Sequence, residues 1–376
     1  MEPYRIDVHH HVFPPTYVAA LRRLGITGEG GVPLHHWNAE NALALMDRQG
    51  IATAVTSISA PGVYFGDSGL ARELAHQCNE FSADLIQAHP GRFGGFAVLP
   101  LPDVDAALGE LRHALDVLHL DGVVLLTNVD GQYLGDPQFE PILAELDRRG
   151  VATFLHPNTP HISGSLPQQP SSKIPYPFDS LLLKTQKSAA EHLPSSMVDY
   201  PFETTKVVAK LLIGGSLERF PRIPFILSHA GGAVPYLAWR LAMFQERLDP
   251  PVRDVAVHGY EMLTHQFARA PLDEATRGLE LLKRLYYDTA FSATPYVFRS
   301  LLALVEPAHV LFGTDLGVAM EFVAAETIRG IAEEPMIDPS ARRLIERDSA
   351  LALLPRLRST NGREAQSSAH HQPRLR

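Results

Sequence analysis

Residues 151–158 read VATFLHPN, a mostly apolar run that ends in a histidine. Such short runs, without regular alternation of polar and apolar residues, are typical of strands buried on both faces in a parallel sheet. The same form recurs in PFILSHAGG at 224–232 and in HVLFGTD at 309–315, and RIDVHHH at 5–11 precedes them. Each of these four predicted strands therefore ends in a side chain that can bind a metal ion.

Four further runs complete a set of eight predicted strands. They are IATAVTSIS at 51–59, GGFAVLP at 94–100, GVVLLT at 122–127 and RLYYDTA at 284–290. Helical segments lie between most of them, such as 38–50, for which Asn38 is the predicted N-cap and Gly50 the stop. This alternation predicts an α/β protein, a (β/α)₈ TIM-like barrel, which takes about 250 residues plus insertions. A doubly wound open sheet is the alternative, but the glycine fingerprint usual after its first strand is absent.

The predicted barrel domain covers residues 1–357, with its last helix at 295–305 and its last strand at 309–315. Residues 159–201, after the fifth strand, are rich in proline and serine and form a predicted insertion. Such a segment can be a lid, a subunit contact or a solvated loop. Residues 358–376 lack an apolar pattern, so we expect a disordered tail that includes His370 and His371.

Composition excludes several classes of protein. The 376 residues carry a formal net charge of −9, which disfavours nucleic acid or an anionic membrane as the main partner. No apolar run reaches the roughly 18 residues of a membrane span, and the N-terminus enters a strand without a signal peptide. The single cysteine, Cys78, rules out an intrachain disulfide and is expected to be a small core residue. We therefore expect a cytoplasmic protein.

The histidines of the first strand point to a metal site. Side chains alternate along a strand, so His9 and His11 lie on one face and His10 on the other. In a barrel, the carboxyl ends of the strands meet at one mouth, where His156, His229 and Asp315 would join this pair. Imidazole nitrogens with one carboxylate suit a single divalent ion, zinc first, with manganese or iron as alternatives. A coordination position remains for water or substrate, which indicates a catalytic site.

The motifs DVHHH, FLHP, LSHAGG and FGTD occur in this order between residues 7 and 315. In this respect the chain resembles the amidohydrolase superfamily, a family of metal-dependent barrel enzymes. It is most similar to the decarboxylase branch, typified by aminocarboxymuconate-semialdehyde decarboxylase. The resemblance implies four metal ligands, His9, His11, His156 and Asp315. It also implies that His229 lies beside the metal and serves in acid–base chemistry.

The resemblance also implies a subunit contact. Family members often have an arginine eleven residues after the sixth-strand histidine, which reaches into a neighbouring site and binds substrate carboxylate. Arg240 has this spacing, and its alternative role is that of a solvated helix residue. We therefore expect a homodimer or a higher homo-oligomer. The muconate-semialdehyde enzymes carry arginines before the second strand, where this chain has NALALMD, so their substrate is not expected here.

Residues 50–67 and 121–150 resemble the 6-methylsalicylate decarboxylases of this branch. This resemblance implies a carboxy-lyase that acts on a small aromatic acid with an ortho hydroxyl, converting 6-methylsalicylate to 3-methylphenol and CO₂. Asp315 or His229 would deliver the proton to the ring carbon. Trp37, Phe291 or residues of the insertion would form the wall against the aromatic ring, although aromatic residues are more often part of the core.

Three other functions are compatible with the sequence. A hydrolase of the same superfamily would attack a lactone or an amide with metal-bound hydroxide. A hydratase would act on an unsaturated acid, and a catalytically silent metal-binding or scaffold protein would do neither. Analysis of the products separates these functions, because only a decarboxylase releases CO₂.

Overall fold

The computed structural model describes residues 4–29, 32–34, 37–160, 194–245 and 276–358. Eight strands form one parallel sheet in which each strand pairs with the next along the chain. In chain order they are β1 (Arg5–His11), β2 (Ile51–Ser57), β3 (Phe93–Val98), β4 (Gly122–Leu126), β5 (Thr153–His156), β6 (Phe225–Leu227), β7 (Tyr286–Asp288) and β8 (Val310–Leu311). All eight strands predicted from the sequence are present.

Hydrogen bonds between β1 and the residues directly after β8 join the two ends of the sheet. The Val8 amide donates to Phe312 O at 2.9 Å, and the Asp315 amide donates to His9 O at 2.8 Å. The His11 amide donates to Leu316 O at 2.6 Å. These bonds close the sheet into a (β/α)₈ barrel, so the open-sheet alternative is wrong.

Helices connect most of the strands and continue after β8. They are α1 (Pro15–Arg23), α2 (Ala39–Gln49), α3 (Ser68–Ala88), α4 (Val104–Arg112), α5 (Glu140–Arg149), α6 (Asp199–Ile213), α7 (Ser216–Arg219), α8 (Val234–Gln245), α9 (Thr276–Lys283), α10 (Pro295–Leu304), α11 (Glu321–Glu333), α12 (Pro339–Arg343) and α13 (Ser349–Leu353). As predicted, the Asn38 side chain caps α2 and Gly50 ends it with a left-handed φ of 65°. None of the described helices is long and apolar enough to cross a membrane.

The interior of the barrel is packed with aromatic side chains below the predicted site. Phe96 of β3 and Phe154 of β5 stack with ring centroids 5.6 Å apart, and the Phe154 ring lies 4.9 Å from the His9 ring. Both phenylalanines are fully buried. The histidines therefore lie above a close-packed layer of buried aromatic side chains.

On α3, Cys78 is buried, as expected, and burial raises the pKa of its thiol.

The prediction that 295–305 is the last helix was wrong, because α11, α12 and α13 follow it. In α11 the buried residues Val323, Ala324, Thr327 and Ile331 have the spacing of one helix face. Residues 161–193 of the predicted insertion and residues 359–376 of the predicted tail lie outside the described residues. The helix α6 begins at Asp199, inside the predicted bounds of the insertion.

Candidate metal centre

Three consecutive histidines end β1, and their side chains alternate as predicted. The Nε2 atoms of His9 and His11 lie 3.0 Å apart inside the barrel mouth. His10 faces the opposite side, where its Nδ1 lies 3.2 Å from Asp7 Oδ2. All three imidazoles are buried. The strand therefore presents two nitrogen atoms to a single point.

Side chains from two other strands complete this point. His156, the last residue of β5, has its ring centroid 5.4 Å from that of His9 and 4.8 Å from that of His11. Asp315 follows β8, and its Oδ1 lies 3.0 Å from His9 Nε2 and 2.9 Å from His11 Nε2. One potential ligand atom from each of the four residues lies within 4.8 Å of the others. The structure thus brings together the four residues that the sequence predicts as ligands.

The far side of each ring is occupied, which orients the nitrogen that faces the centre. Nδ1 of His9 lies 2.6 Å from Asp288 Oδ2, and Nδ1 of His156 lies 2.9 Å from Pro157 O. Nδ1 of His11 lies 3.4 Å from Ser57 O. Because these oxygens accept hydrogen bonds, the proton of each neutral ring belongs on Nδ1, and the Nε2 lone pair is available to a metal.

The charges at the centre suit a cation. Burial lowers the pKa of His156 well below its usual range and also lowers the pKa of His11. Burial alone would raise the pKa of Asp315, but His9 and His11 hold it well below its usual range. Burial opposes protonation of His9, yet Asp288 and Asp315 raise its pKa to about 10. An ionised carboxylate faces imidazole nitrogens here, and a divalent ion would replace the proton that His9 otherwise attracts.

One orphaned atom supports the same interpretation. Asp315 Oδ1 is buried and accepts no hydrogen bond from the described residues, although both Nε2 atoms are close. A buried carboxylate oxygen without a donor is costly, and a metal ion would satisfy it. Three nitrogens and one oxygen form a donor set that fits zinc and neighbouring divalent metals. The four residues can therefore hold a divalent metal.

The loop after β8 depends on glycine to approach the histidines. A Cβ atom on Gly313 would lie 2.9 Å from His9 Cβ, and one on Gly317 would lie 2.1 Å from His11 O. Between these glycines, Asp315 adopts a left-handed φ of 62°, which is uncommon outside glycine. Strained backbone of this kind is found at functional sites, where surrounding contacts enforce it.

His229 lies beside the four residues but outside their set. Its ring centroid is 4.9 Å from that of His9 and 5.9 Å from that of His156, and its backbone φ is 53°. Its amide donates to Asp288 Oδ1 at 2.8 Å, and its Nδ1 lies 3.3 Å from Ala290 O. Burial, followed by the nearby His9, lowers its pKa. The neutral imidazole can exchange a proton with a group bound in the mouth.

The three predicted substrate contacts are placed differently from one another. Phe291 is 58% exposed, and its ring centroid lies 6.1 Å from that of His229, at the mouth. Trp37 contacts the rings of Phe81 and Phe93, the latter at the start of β3 and so at the opposite end of the barrel. The structure does not bring Trp37 to the site, because its indole packs between helices and sheet. Arg240 is exposed on α8 and forms no ion pair with any described residue.

Sequence reasoning missed two residues near the centre. Asp288 ends β7 and accepts hydrogen bonds from the His9 ring and from the amides of His229 and Ala290. The strand sequence YYD ends in a carboxylate, just as the strands of the four candidate ligands end in a histidine or an aspartate. Asp288 could therefore have been predicted from sequence by the same criterion. Tyr200 of α6 has its ring centroid 6.2 Å from that of His156. Tyr200 lies within the predicted insertion, whose residues were expected near the aromatic ring, but no local sequence pattern distinguishes it from its neighbours.

Comparison with known proteins agrees with this geometry. A family model described as amidohydrolase matches residues 6–356. The 6-methylsalicylic acid decarboxylase of Penicillium expansum is 33% identical over 364 residues, covering 94% of this chain and 97% of the relative. The crystal structure of an amidohydrolase II superposes with a TM-score of 0.76 at 25% identity, covering 93% of this chain and 99% of that one.

A second solved structure shows the fold with a metal bound. It is a dihydroxybenzoic acid decarboxylase from a Polaromonas species, with manganese and the inhibitor 2-nitroresorcinol. Its TM-score is 0.66 at 21% identity, covering 94% of this chain and 97% of that one. The family model and the Penicillium relative both extend over nearly the whole of the described barrel. The chain therefore belongs to the amidohydrolase family, in its decarboxylase branch.

Proposed function

We propose that this protein is a metal-dependent carboxy-lyase that removes the carboxyl group of an ortho-hydroxy aromatic acid as CO₂, without an oxidant. The observation that carries the proposal is the convergence of His9, His11, His156 and Asp315 at the mouth of the barrel. The Penicillium relative, which covers 94% of the chain, supports the reaction type. The same relative supports 6-methylsalicylate as the substrate and 3-methylphenol as the product.

The four converging residues would hold the ion. When bound, the ion supplies positive charge that attracts and orients a carboxylate and a neighbouring hydroxyl of the substrate. The buried histidines, together with the buried Phe96 and Phe154 rings below them, would shield the ion from water. Phe291 lies at the mouth and supplies an apolar surface for the aromatic ring.

Loss of CO₂ requires a proton at the ring carbon that carries the carboxylate, because the electrons of the breaking bond lie in the ring plane. The new C–H bond replaces the C–C bond, so no electrons leave the substrate. Asp315 and His229 are the two candidates for the proton donor. We assign the role to His229, since Asp315 belongs to the proposed ligand set while the His229 imidazole lies beside it. The imidazole would take up a proton from solvent and pass it to the ring carbon.

Zinc is the proposed metal. Three imidazoles and one carboxylate are usual ligands of zinc, but manganese binds to sites of similar composition. The Polaromonas neighbour carries manganese, which makes this metal the alternative. Elemental analysis of the purified protein separates the two, with about one ion per chain expected.

We also propose that the protein is a cytoplasmic homodimer in which α8 contacts the second subunit. Tyr236 of this helix is 83% exposed, and Trp239 and Arg240 are also exposed. Exposed aromatic residues next to an arginine are typical of protein interfaces. In such a dimer, Arg240 would bind the carboxylate of a substrate in the partner's site.

The experiment is a product analysis with the metal-loaded protein. With 6-methylsalicylate we expect equal amounts of 3-methylphenol and CO₂. The isomer with the hydroxyl moved to the meta position should not react, since it can neither chelate the ion nor stabilise ring protonation. Hydrolysis of a lactone or amide, or addition of water without CO₂ release, would assign the protein to a different reaction of the same family.

A further inference from the structure

Two neighbouring helices carry a second group of metal-binding side chains on the outer surface of the barrel, separate from the four residues of the centre. His76 and Glu80 are four residues apart on α3, and Glu110 and His113 are three residues apart on and just after α4. These spacings place each pair on one helix face. Ligand atoms of His76, Glu80 and His113 lie within 4.8 Å of one another.

The side chains converge on one carboxylate oxygen. Glu80 Oε1 lies 2.9 Å from His113 Nε2 and 3.8 Å from His76 Nε2. The two imidazole centroids are 4.9 Å apart, with planes tilted by 35°. Two imidazoles crowded against one carboxylate can each provide a nitrogen to a single ion.

Glu110 orients His76 for this role. Its Oε2 lies 3.4 Å from His76 Nδ1, and its Oε1 accepts a hydrogen bond from Asn79 Nδ2 at 2.7 Å. Asn79 is in turn bonded to the backbone of Val98 in β3. The Glu110 side chain is only 11% exposed, so it is a fixed acceptor rather than a solvated one. When the Nδ1–H group of His76 donates a hydrogen bond to Glu110, the Nε2 lone pair faces Glu80. Zinc sites with a carboxylate behind the ligating histidine have the same arrangement.

The two helices are held in register near this group. Arg72 of α3 forms an ion pair with Asp103, the N-cap of α4, at 3.1 Å. Zinc bonds of about 2.0 Å in a tetrahedron place two ligand atoms roughly 3.3 Å apart. The 3.8 Å separation therefore closes by side-chain rotation, which is open to His76 because it is 51% exposed.

We propose that His76, Glu80 and His113 form a second site for a divalent transition-metal ion of the zinc type, supported by Glu110. The ion replaces the hydrogen bond between His113 Nε2 and Glu80. The Nε2 proton leaves to solvent and Nδ1 carries a proton, so the bound imidazole stays neutral. A water molecule fills the fourth position. Because its ligands come from both sides of the contact between α3 and α4, the bound ion links the two helices.

Zinc titration of the full-length protein tests this site. The protein is first loaded with zinc, freed of excess metal and analysed for its zinc content, so that the barrel centre is occupied. Calorimetric titration with Zn²⁺ should then detect one further ion per chain. His113→Ala and His76→Gln should each weaken this binding by at least about 10-fold, and Glu110→Gln by about 10–100-fold. The control His119→Asn removes an exposed histidine that lies outside the group and should titrate as the wild type does.

A second readout separates this site from the barrel centre. Zn²⁺ should raise the melting temperature of the zinc-loaded wild type but not that of His113→Ala, while both proteins turn over substrate equally. Absence of a further ion in the wild type would overturn the proposal. An unchanged isotherm in both His113→Ala and His76→Gln would also overturn it, since the ion would then bind elsewhere, for example at His370 and His371.

Discussion

At the scale of single residues, Asp288 supports the centre from behind His9 without belonging to the proposed ligand set. Its carboxylate accepts hydrogen bonds from the His9 ring and from the amides of His229 and Ala290, and it donates none. An asparagine cannot reproduce this set, because its amide nitrogen would face a donor in either orientation. Asp288 therefore fixes which His9 nitrogen faces the other three residues of the centre, and it also holds the peptide of His229.

Asp288→Asn should weaken metal binding by about 10–100-fold, as is typical when the partner behind a ligating histidine is changed. The measurement is the metal content after dialysis against a graded series of chelator concentrations. Asp84→Asn is the matched control, since Asp84 is an exposed residue of α3. Equal metal retention by the two variants would show that Asp288 does not orient His9.

His229→Asn tests proton delivery. Asparagine tolerates the left-handed backbone of this position better than alanine does, so the fold should be retained. Loss of a general acid lowers kcat by about 10²–10⁴-fold, and we expect a loss in this range with about one metal ion per chain still bound. A variant with near wild-type kcat would transfer the role to Asp315.

At the scale of elements, the strand ends could be predicted from sequence because the signal is local. A buried run and the histidine or aspartate that follows it are close together in the chain, so the polar residue at the end of β1, β5, β6 and β8 could be recognised from sequence. Trp37 could not be placed in this way, since its position depends on contacts of its ring with Phe81 and Phe93, which are distant in sequence. The helices after β8 were missed although the helical spacing of α11 is visible in the sequence.

The loop after β8 provides a prediction at this scale. Gly317→Ala combines a positive φ of 96° with a Cβ atom 2.1 Å from His11 O, so the ligand strand must move. Gly66→Ala is the control, because Gly66 has a φ of 87° with no atom within 4 Å of the added Cβ. Backbone strain alone should lower the free energy of unfolding by about 1–2 kcal/mol in the control.

In Gly317→Ala, the added displacement of the His11 carbonyl should bring the loss to more than about 3 kcal/mol, with reduced metal binding. Urea unfolding of both variants measures the difference. Equal stabilities would mean that the loop can retreat from β1 without cost.

At the scale of the whole molecule, closure of the barrel brings the ligands together. His9 and Asp315 are separated by 306 positions in sequence, yet the Asp315 amide bonds to His9 O across the junction of β8 and β1. The fold class predicts this meeting because all strand ends of a barrel share one mouth. The fold class does not predict contacts with a second subunit, because these depend on how the chains assemble.

Arg240 tests the proposed dimer. Arg240→Ala should lower kcat/KM by about 10-fold or more, since a charge-assisted contact contributes about 1.5–3 kcal/mol. Mixing it with inactive His156→Ala should restore part of the activity, because one site of each hybrid dimer then has intact ligands and an intact arginine. Arg299→Ala, at an exposed arginine of α10, is the control and should need no complementation. Subunits that exchange without recovery of activity would exclude a shared site.

The most direct test of the central claim is turnover of 6-methylsalicylate by the metal-loaded protein in deuterated water. The product, analysed by NMR spectroscopy and mass spectrometry, should be 3-methylphenol with one deuteron on the carbon that carried the carboxylate, in equal amount to the CO₂ released. His156→Ala, which removes a ligand of the proposed ion, should yield neither product. Release of 3-methylphenol by a metal-free protein, or water addition without CO₂ from the metal-loaded one, would contradict the proposed function.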